Sequence, residues 1–412
     1  MLNILINAYA VSPNWGSEPG MGWNWIINIA KYCNVYVITE GEWKDEIIEA
    51  VKCLPQRDNL HFYFNPVDPK IRRICWNQGD WRFYWYYRRW QKKTLEIARE
   101  IIANNKIDVI HQLNMIGFRE PGYLWKIKDI PLVWGPVGGM NSISSVYRDG
   151  LSMRQQVFII IKNIISDLQL RIHPRVRKMI NHSYMIGAVK SVADKMTKYY
   201  NKTIPLINET GTYIENQTEQ FINNYSSGKL NVLWVGRLIP TKRLDIALKS
   251  IAYTNNTDIR LTVCGVGSEE TEEKYKSLIR QLGIEGQVDW KGKVEHSKIL
   301  DIMRESNLFF MTSIADATST VIVEAISVGL PILSFNACGF GALVKSFAGE
   351  TIELSNPEQS AKEFANKLNY FFNNRHILKN ISENQINNRH ILSWEYKAET
   401  MHKIYSQLAA KE

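Results

Sequence analysis

Two stretches decide the fold when set side by side: Met1–Ala10, MLNILINAYA, and Lys229–Leu238, KLNVLWVGRL. Each is a short apolar run of strand character. Each leads into a turn rich in small or basic residues and then into a segment with helical periodicity. The pattern therefore starts at the first residue and starts again near residue 230. Between and beyond lie further runs of the same kind, at 35–39, 109–113, 132–137, 184–189, 261–265, 308–312 and 331–335. They are about five residues long, rich in β-branched side chains and bounded by Gly, Pro, Asn or Thr. Helix-period segments separate them, which argues for βαβ units and parallel sheets. The expected fold class is α/β: two Rossmann-like, doubly wound domains facing a central cleft. The first covers 1–205 and the second 206–392, with the C-terminal helix 393–410 packing back on the first. The region around 200–230 is polar and rich in Asn, Thr and Ser, as befits a linker.

Composition supports two full cores: the chain has 412 residues, 45% hydrophobic and 22% charged. The longest apolar run, Val157–Ile165, is short for a membrane span and is interrupted by Lys162. The N-terminus has no basic leader and reads as a strand. Five cysteines (Cys33, Cys53, Cys75, Cys264, Cys338) are scattered without metal-ligand spacing, so free thiols in a reducing compartment are expected. The expected location is cytoplasmic, with peripheral attachment to the inner membrane face left open. A net charge of +9 favours an anionic partner: a phosphorylated ligand, an acidic membrane surface or nucleic acid. The window Lys70–Lys93 concentrates it, with eight basic residues and one acid among four Trp, three Tyr and one Phe.

A doubly wound sheet binds ligands at the carboxyl ends of its strands, so the loops there are the places to look. After the first run, VSPNWGSEPGMGW (11–23) offers Gly16, Ser17 and Glu18 before a helix. Free N–H groups there can hold an anion, and Glu18 accepts from sugar hydroxyls or braces the loop. The spacing does not match the dinucleotide fingerprint, which disfavours NAD. After the second restart, Arg237 leaves the strand and Lys242 opens the next segment, so both cations can converge on a diphosphate. Gly265 and Gly267 allow close backbone approach, and Val294 follows another strand. Finally, SIADATSTVIVEAISVGLP (313–331) carries Asp316 in a loop and Glu324 about one turn into a helix. Ser319 or Thr318 caps that helix and Gly329 with Pro331 stops it. The two carboxylates would stand roughly 10 Å apart with the helix N-terminus between them.

These residues resemble the retaining glycosyltransferases of family 4, which have the GT-B fold. That family carries two glutamates separated by seven residues. Here the stretch reads Ser313, Asp316, Ala317, Ser319, Glu324, Ala325, Gly329 and Pro331. Gly236, Arg237, Leu238 and Lys242 match the family's G-R-L-x-x-x-K. Gly265 and Gly267 match its Gly-x-Gly turn, and Gly16–Gly20 its first glycine loop. Ser393–Leu408 looks like the family's Trp-containing final helix, which crosses back to the first domain. The first glutamate is Asp316 here and the following glycine is Ala317.

The resemblance implies transfer of a sugar from a UDP- or GDP-linked donor with retained configuration. It implies no cofactor and no metal, and an acceptor glycan carried on a lipid. Arg237, Lys242 and the helix start near Ser319 and Thr320 would stabilise the departing diphosphate. Glu324 would bind ribose and Asp316 the donor sugar. His111 is a further catalytic candidate, and Arg119 and Glu120 are acceptor-side candidates. The expected setting is assembly of bacterial cell-surface polysaccharide, lipopolysaccharide, O-antigen or capsule. The basic, apolar segments 70–93 and 153–178 suggest docking on an anionic membrane. The alternative is a soluble GT-B enzyme, either a transferase with a small acceptor or a nucleotide-sugar epimerase. A nucleic-acid-binding module is disfavoured, because it leaves the strand-end residues unexplained.

Overall fold

The computed structural model describes residues 1–76, 81–140, 147, 153–214, 225, 228–315 and 320–410. Its strands are β1 (Leu2–Ala8), β2 (Cys33–Thr39), β3 (Leu60–Phe64), β4 (Val109–Asn114), β5 (Leu132–Val137) and β6 (Tyr184–Gly187) in one sheet. A second sheet holds β7 (Leu230–Arg237), β8 (Ile259–Val266), β9 (Val288–Gly292), β10 (Leu308–Met311), β11 (Ile332–Phe335) and β12 (Glu350–Ile352). All recorded pairings between these strands are parallel. The orders are β3-β2-β1-β4-β5-β6 and β12-β11-β10-β7-β8-β9. Read from their own first strands, both sheets have the doubly wound order 3-2-1-4-5-6. The two similar stretches of sequence thus become the two central strands, β1 and β7, each beside the point where strand order reverses.

Burial explains the composition of the runs. Ile4, Leu5 and Ile6 on β1 and Val232, Leu233 and Trp234 on β7 are all buried, because helices cover both faces of a parallel sheet. Two short strands, β3 and β12, lie at sheet edges, where burial is incomplete and the apolar run correspondingly weak.

The chain forms two compact units. One contains Met1–Met140, Ile160–Gly211 and the segment from Trp394 onward; the other contains Thr212–Ser393 with Tyr147 and Met153–Ile159. In the first unit the final helix, Trp394–Ala409, packs on the helix Ser17–Ile29. The Trp394 and Trp25 rings meet edge to face at 5.7 Å, and the Trp25 indole N–H donates to the Glu209 carbonyl at 2.9 Å. A Cβ on Gly211 would lie 2.8 Å from the Trp394 ring, so only glycine lets the chain pass there. Lys397 on the same helix is buried and donates to the Asn208 carbonyl at 2.7 Å. Burial lowers its pKa to about 7. None of the five cysteines is in a disulfide.

Candidate functional site

In the second unit the loops after β7 and β10 meet at the switch point of the sheet. Arg237 is the last residue of β7 and is exposed. The chain then turns through a short 3-10 segment, Pro240–Lys242. Three hydrogen bonds hold this turn against the start of the β10 loop. The Trp234 indole N–H donates to Thr312 Oγ1 at 3.1 Å, the Thr312 hydroxyl donates to the Lys242 carbonyl at 2.9 Å, and the Ile314 N–H donates to the Thr241 carbonyl at 2.9 Å. The Lys242 stem runs beside Gly236, where a Cβ would meet the Trp234 ring at 3.3 Å and Lys242 Cδ at 3.6 Å. Arg237 and Lys242 are therefore presented from one braced turn, next to the loop that carries the 313–331 stretch.

That stretch forms the helix Thr320–Ser327. Ile322, Val323, Ala325 and Ile326 are buried, which leaves Glu324 on the remaining side with a side chain 16% exposed. Glu324 Oε1 accepts from His296 Nε2–H at 2.8 Å. This hydrogen bond and the adjacent negative charge raise the His296 pKa, against partial desolvation. His296 opens the helix His296–Glu305. It escaped the sequence analysis because an exposed histidine at a helix start carries no pattern; only the tertiary fold brings it to Glu324. Thr320 begins its helix and is exposed. Asp316 and Ser319 lie outside the described residues.

Gly265 and Gly267 also have a packing role. A Cβ on Gly265 would stand 2.5 Å from the Gly236 carbonyl, and one on Gly267 2.8 Å from Leu238 Cβ. They permit close packing of the β7 and β8 ends and so set the shape of the Arg237 turn. Val294 packs against the core of this unit. A pocket of about 1220 Å³ has Leu238, Ile239 and Thr241 of the turn in its wall. Arg154, Lys249 and Lys274 add positive charge to it, but Arg237, Lys242 and Glu324 do not line it.

The first unit is stitched at its own switch point. Asn114 at the end of β4 exchanges hydrogen bonds with the Ala10 backbone, and Glu18 Oε1 accepts from the Ile116 N–H at 2.8 Å. Burial pushes the Glu18 carboxyl above the usual range, while that N–H acts in the opposite direction. Glu18 therefore braces the loop. Gly16 and Ser17 beside it are exposed, and Ser17 has a left-handed φ of 57°.

Two first-unit assignments are corrected. His111 is fully buried; Nε2–H donates to the Gly135 carbonyl and Nδ1 accepts from the Tyr405 hydroxyl, both at 2.6 Å. Burial lowers its pKa to about 4, consistent with that neutral tautomer. It joins β4 to the final helix and offers no nitrogen to a substrate. Glu120 is 6% exposed and held by two arginines: Arg88 donates at 2.7 and 2.9 Å, Arg175 at 2.6 and 3.1 Å. Arg119 donates to the Ser166 hydroxyl at 2.9 Å and lies over the Phe118 ring. Glu120 is therefore a structural piece of the first unit rather than an open acceptor contact, whereas Arg119 is half-buried and keeps its place as an acceptor-side candidate. Among the described residues no three His, Cys, Asp or Glu side chains are grouped to hold a metal.

Two parallel six-stranded sheets with this order define the GT-B class of glycosyltransferase folds. Residues 215–388 match the family described as glycosyl transferases group 1. That span is most of the second unit and includes Arg237, Lys242 and Glu324. The whole chain is similar in fold to Anabaena HepE in complex with UDP, at 14% identity and TM-score 0.60, covering 99% of this chain and 100% of that one. It is also similar to the apo lipopolysaccharide outer core galactosyltransferase WaaB, at 15% identity and TM-score 0.64, covering 98% and 100%. A curated relative is the phosphatidylinositol N-acetylglucosaminyltransferase GPI3 subunit of Saccharomyces cerevisiae, 25% identical over 124 residues. The match covers 30% of this chain and 27% of that protein, so the chain spans only about a quarter of that relative's length.

Proposed function

We propose that the protein transfers a sugar from a nucleoside-diphosphate donor to an acceptor glycan, with retention of anomeric configuration. The observation that carries this reading is the braced turn presenting Arg237 and Lys242 beside the helix of Glu324, inside the segment that matches group 1 glycosyl transferases. In the reaction the bond from sugar C1 to the diphosphate oxygen breaks with its electron pair leaving on the diphosphate, the acceptor hydroxyl oxygen bonds to C1 on the same face, and the hydroxyl proton passes to the departing diphosphate oxygen. Arg237, Lys242 and the N–H groups opening the helix at Thr320 oppose that developing charge. Glu324 binds the ribose hydroxyls, with Oε1 steadied by His296. Asp316 orients the transferred sugar. UDP is the favoured nucleotide, since HepE was solved with UDP, and GDP is the alternative. The setting is assembly of a bacterial surface glycan on a lipid carrier, supported by the names of WaaB and the yeast relative.

Thermal shift with UDP, GDP and their sugars tests this. One nucleotide should raise the melting temperature, and Arg237→Ala or Lys242→Ala should abolish the rise while leaving the ligand-free melt unchanged. No stabilisation by any nucleotide would remove the proposal. Transfer to a small soluble acceptor, or epimerisation of the donor sugar, would favour the soluble-enzyme alternative.

A further inference from the structure

The helix Met153–Ile172 is built inside out for a protein surface in water. Ile159, Asn163, Ser166 and Leu170 recur at helical spacing and form its less exposed side, two of them polar. Its exposed side in the first unit carries Ile161, Ile164, Leu168 and Ile172, at 49%, 62%, 50% and 58% exposure. Ile165 at 48% flanks that stripe. A water-facing helix normally has the opposite arrangement, and a continuous exposed stripe of this kind marks a docking surface. Among the described residues no helix is long and apolar enough to cross a membrane, and Lys162 and Asp167 interrupt this one.

Charge and neighbouring aromatics identify what covers it. From Met153 to Lys178 there are six cations, Arg154, Lys162, Arg171, Arg175, Arg177 and Lys178, of which Arg175 is engaged by Glu120, against one acid, Asp167, which pairs with Lys195 at 2.5 Å. The helix Trp81–Asn104 adds Trp81 and Trp85, 77% and 50% exposed, one turn apart on one face. Of its other aromatics, Phe83, Tyr87 and Trp90 are buried, with Tyr87 and Trp90 packed against Tyr9, and Tyr84 and Tyr86 are partly buried. Arg88, one turn beyond Trp85, shares Glu120 with Arg175 of the helix that follows Ile172. The buried carboxylate thus ties the tryptophan helix to the segment carrying the apolar stripe.

We propose that this helix lies in the plane of an anionic bilayer, its stripe among the acyl chains and its cations at the headgroups, with Trp81 and Trp85 as interfacial anchors. A second copy of the chain, the other plausible cover, would meet a surface of the same positive sign. The docking is independent of the transfer reaction and is tested without it.

Flotation with vesicles of phosphatidylcholine alone, or with phosphatidylglycerol added, is the experiment. The full chain should float with the anionic vesicles, less with the neutral ones, and less at high salt. Joint replacement Ile161→Ser, Ile164→Ser and Leu168→Ser should lower partitioning roughly 100-fold. These exposed positions should leave the melting temperature unchanged. Trp81→Ala with Trp85→Ala should give a smaller loss. Absence of wild-type flotation overturns the proposal, as does equal flotation of the triple variant. If sedimentation instead shows a wild-type dimer that the triple variant dissolves, without vesicle binding, the stripe is a self-interface and the membrane proposal fails.

Discussion

Replacing Glu120 by Gln separates a structural carboxylate from an acceptor-binding one. Glu120 accepts four hydrogen bonds from Arg88 and Arg175, with only 6% of its side chain exposed, while the arginines are 40% and 17% exposed. Breaking a buried ion pair by removing one partner typically costs 3–5 kcal/mol, because the remaining charge is left desolvated. Here Arg88 can turn partly to water, so about 2–3 kcal/mol is expected. In a unit of this size each kcal/mol moves the midpoint by roughly 2–4 °C, so the melt should fall by about 4–12 °C. Thermal denaturation followed by circular dichroism reads this directly. Below the melt, the acceptor KM of the folded variant should match wild type. An unchanged melt with a raised acceptor KM would refute the reasoning and return Glu120 to the acceptor site.

Trp394→Ala should destabilise the first unit by about 3–5 kcal/mol, since it empties a buried indole site against Trp25 and Gly211; urea denaturation measures it. Lys397 has a folded-state pKa of about 7, below its unfolded value, so the unfolded chain holds more protons above pH 7. Stability should therefore rise between pH 7 and the unfolded lysine pKa, by at most about 1.4 kcal/mol per pH unit, and Lys397→Met should flatten that slope. His296 has the opposite sign. Its raised pKa gives stability that is fully present below its unfolded pKa and is lost as pH rises through the folded value. The pair is solvent-exposed on the histidine side, so the effect stays under about 1 kcal/mol; His296→Gln should remove it from urea midpoints taken across that range.

The strand runs, the restart near residue 230 and the helix stop at Gly329 and Pro331 were legible in the sequence. They follow from local burial periodicity and turn chemistry, which a single chain displays without its partners. The same holds for the placement of Arg237 and Lys242 on a strand-end loop and of Glu324 in an apolar helix. The roles of His111, Glu120 and His296 were not legible. A buried histidine bridging β4 to a helix 294 residues away, a glutamate clasped by arginines from two other segments, and a histidine 28 residues from its carboxylate leave no local signature. Only the folded chain determines which polar atoms lose water and which partners replace it, and that decides whether a charged side chain supports the fold or faces a ligand.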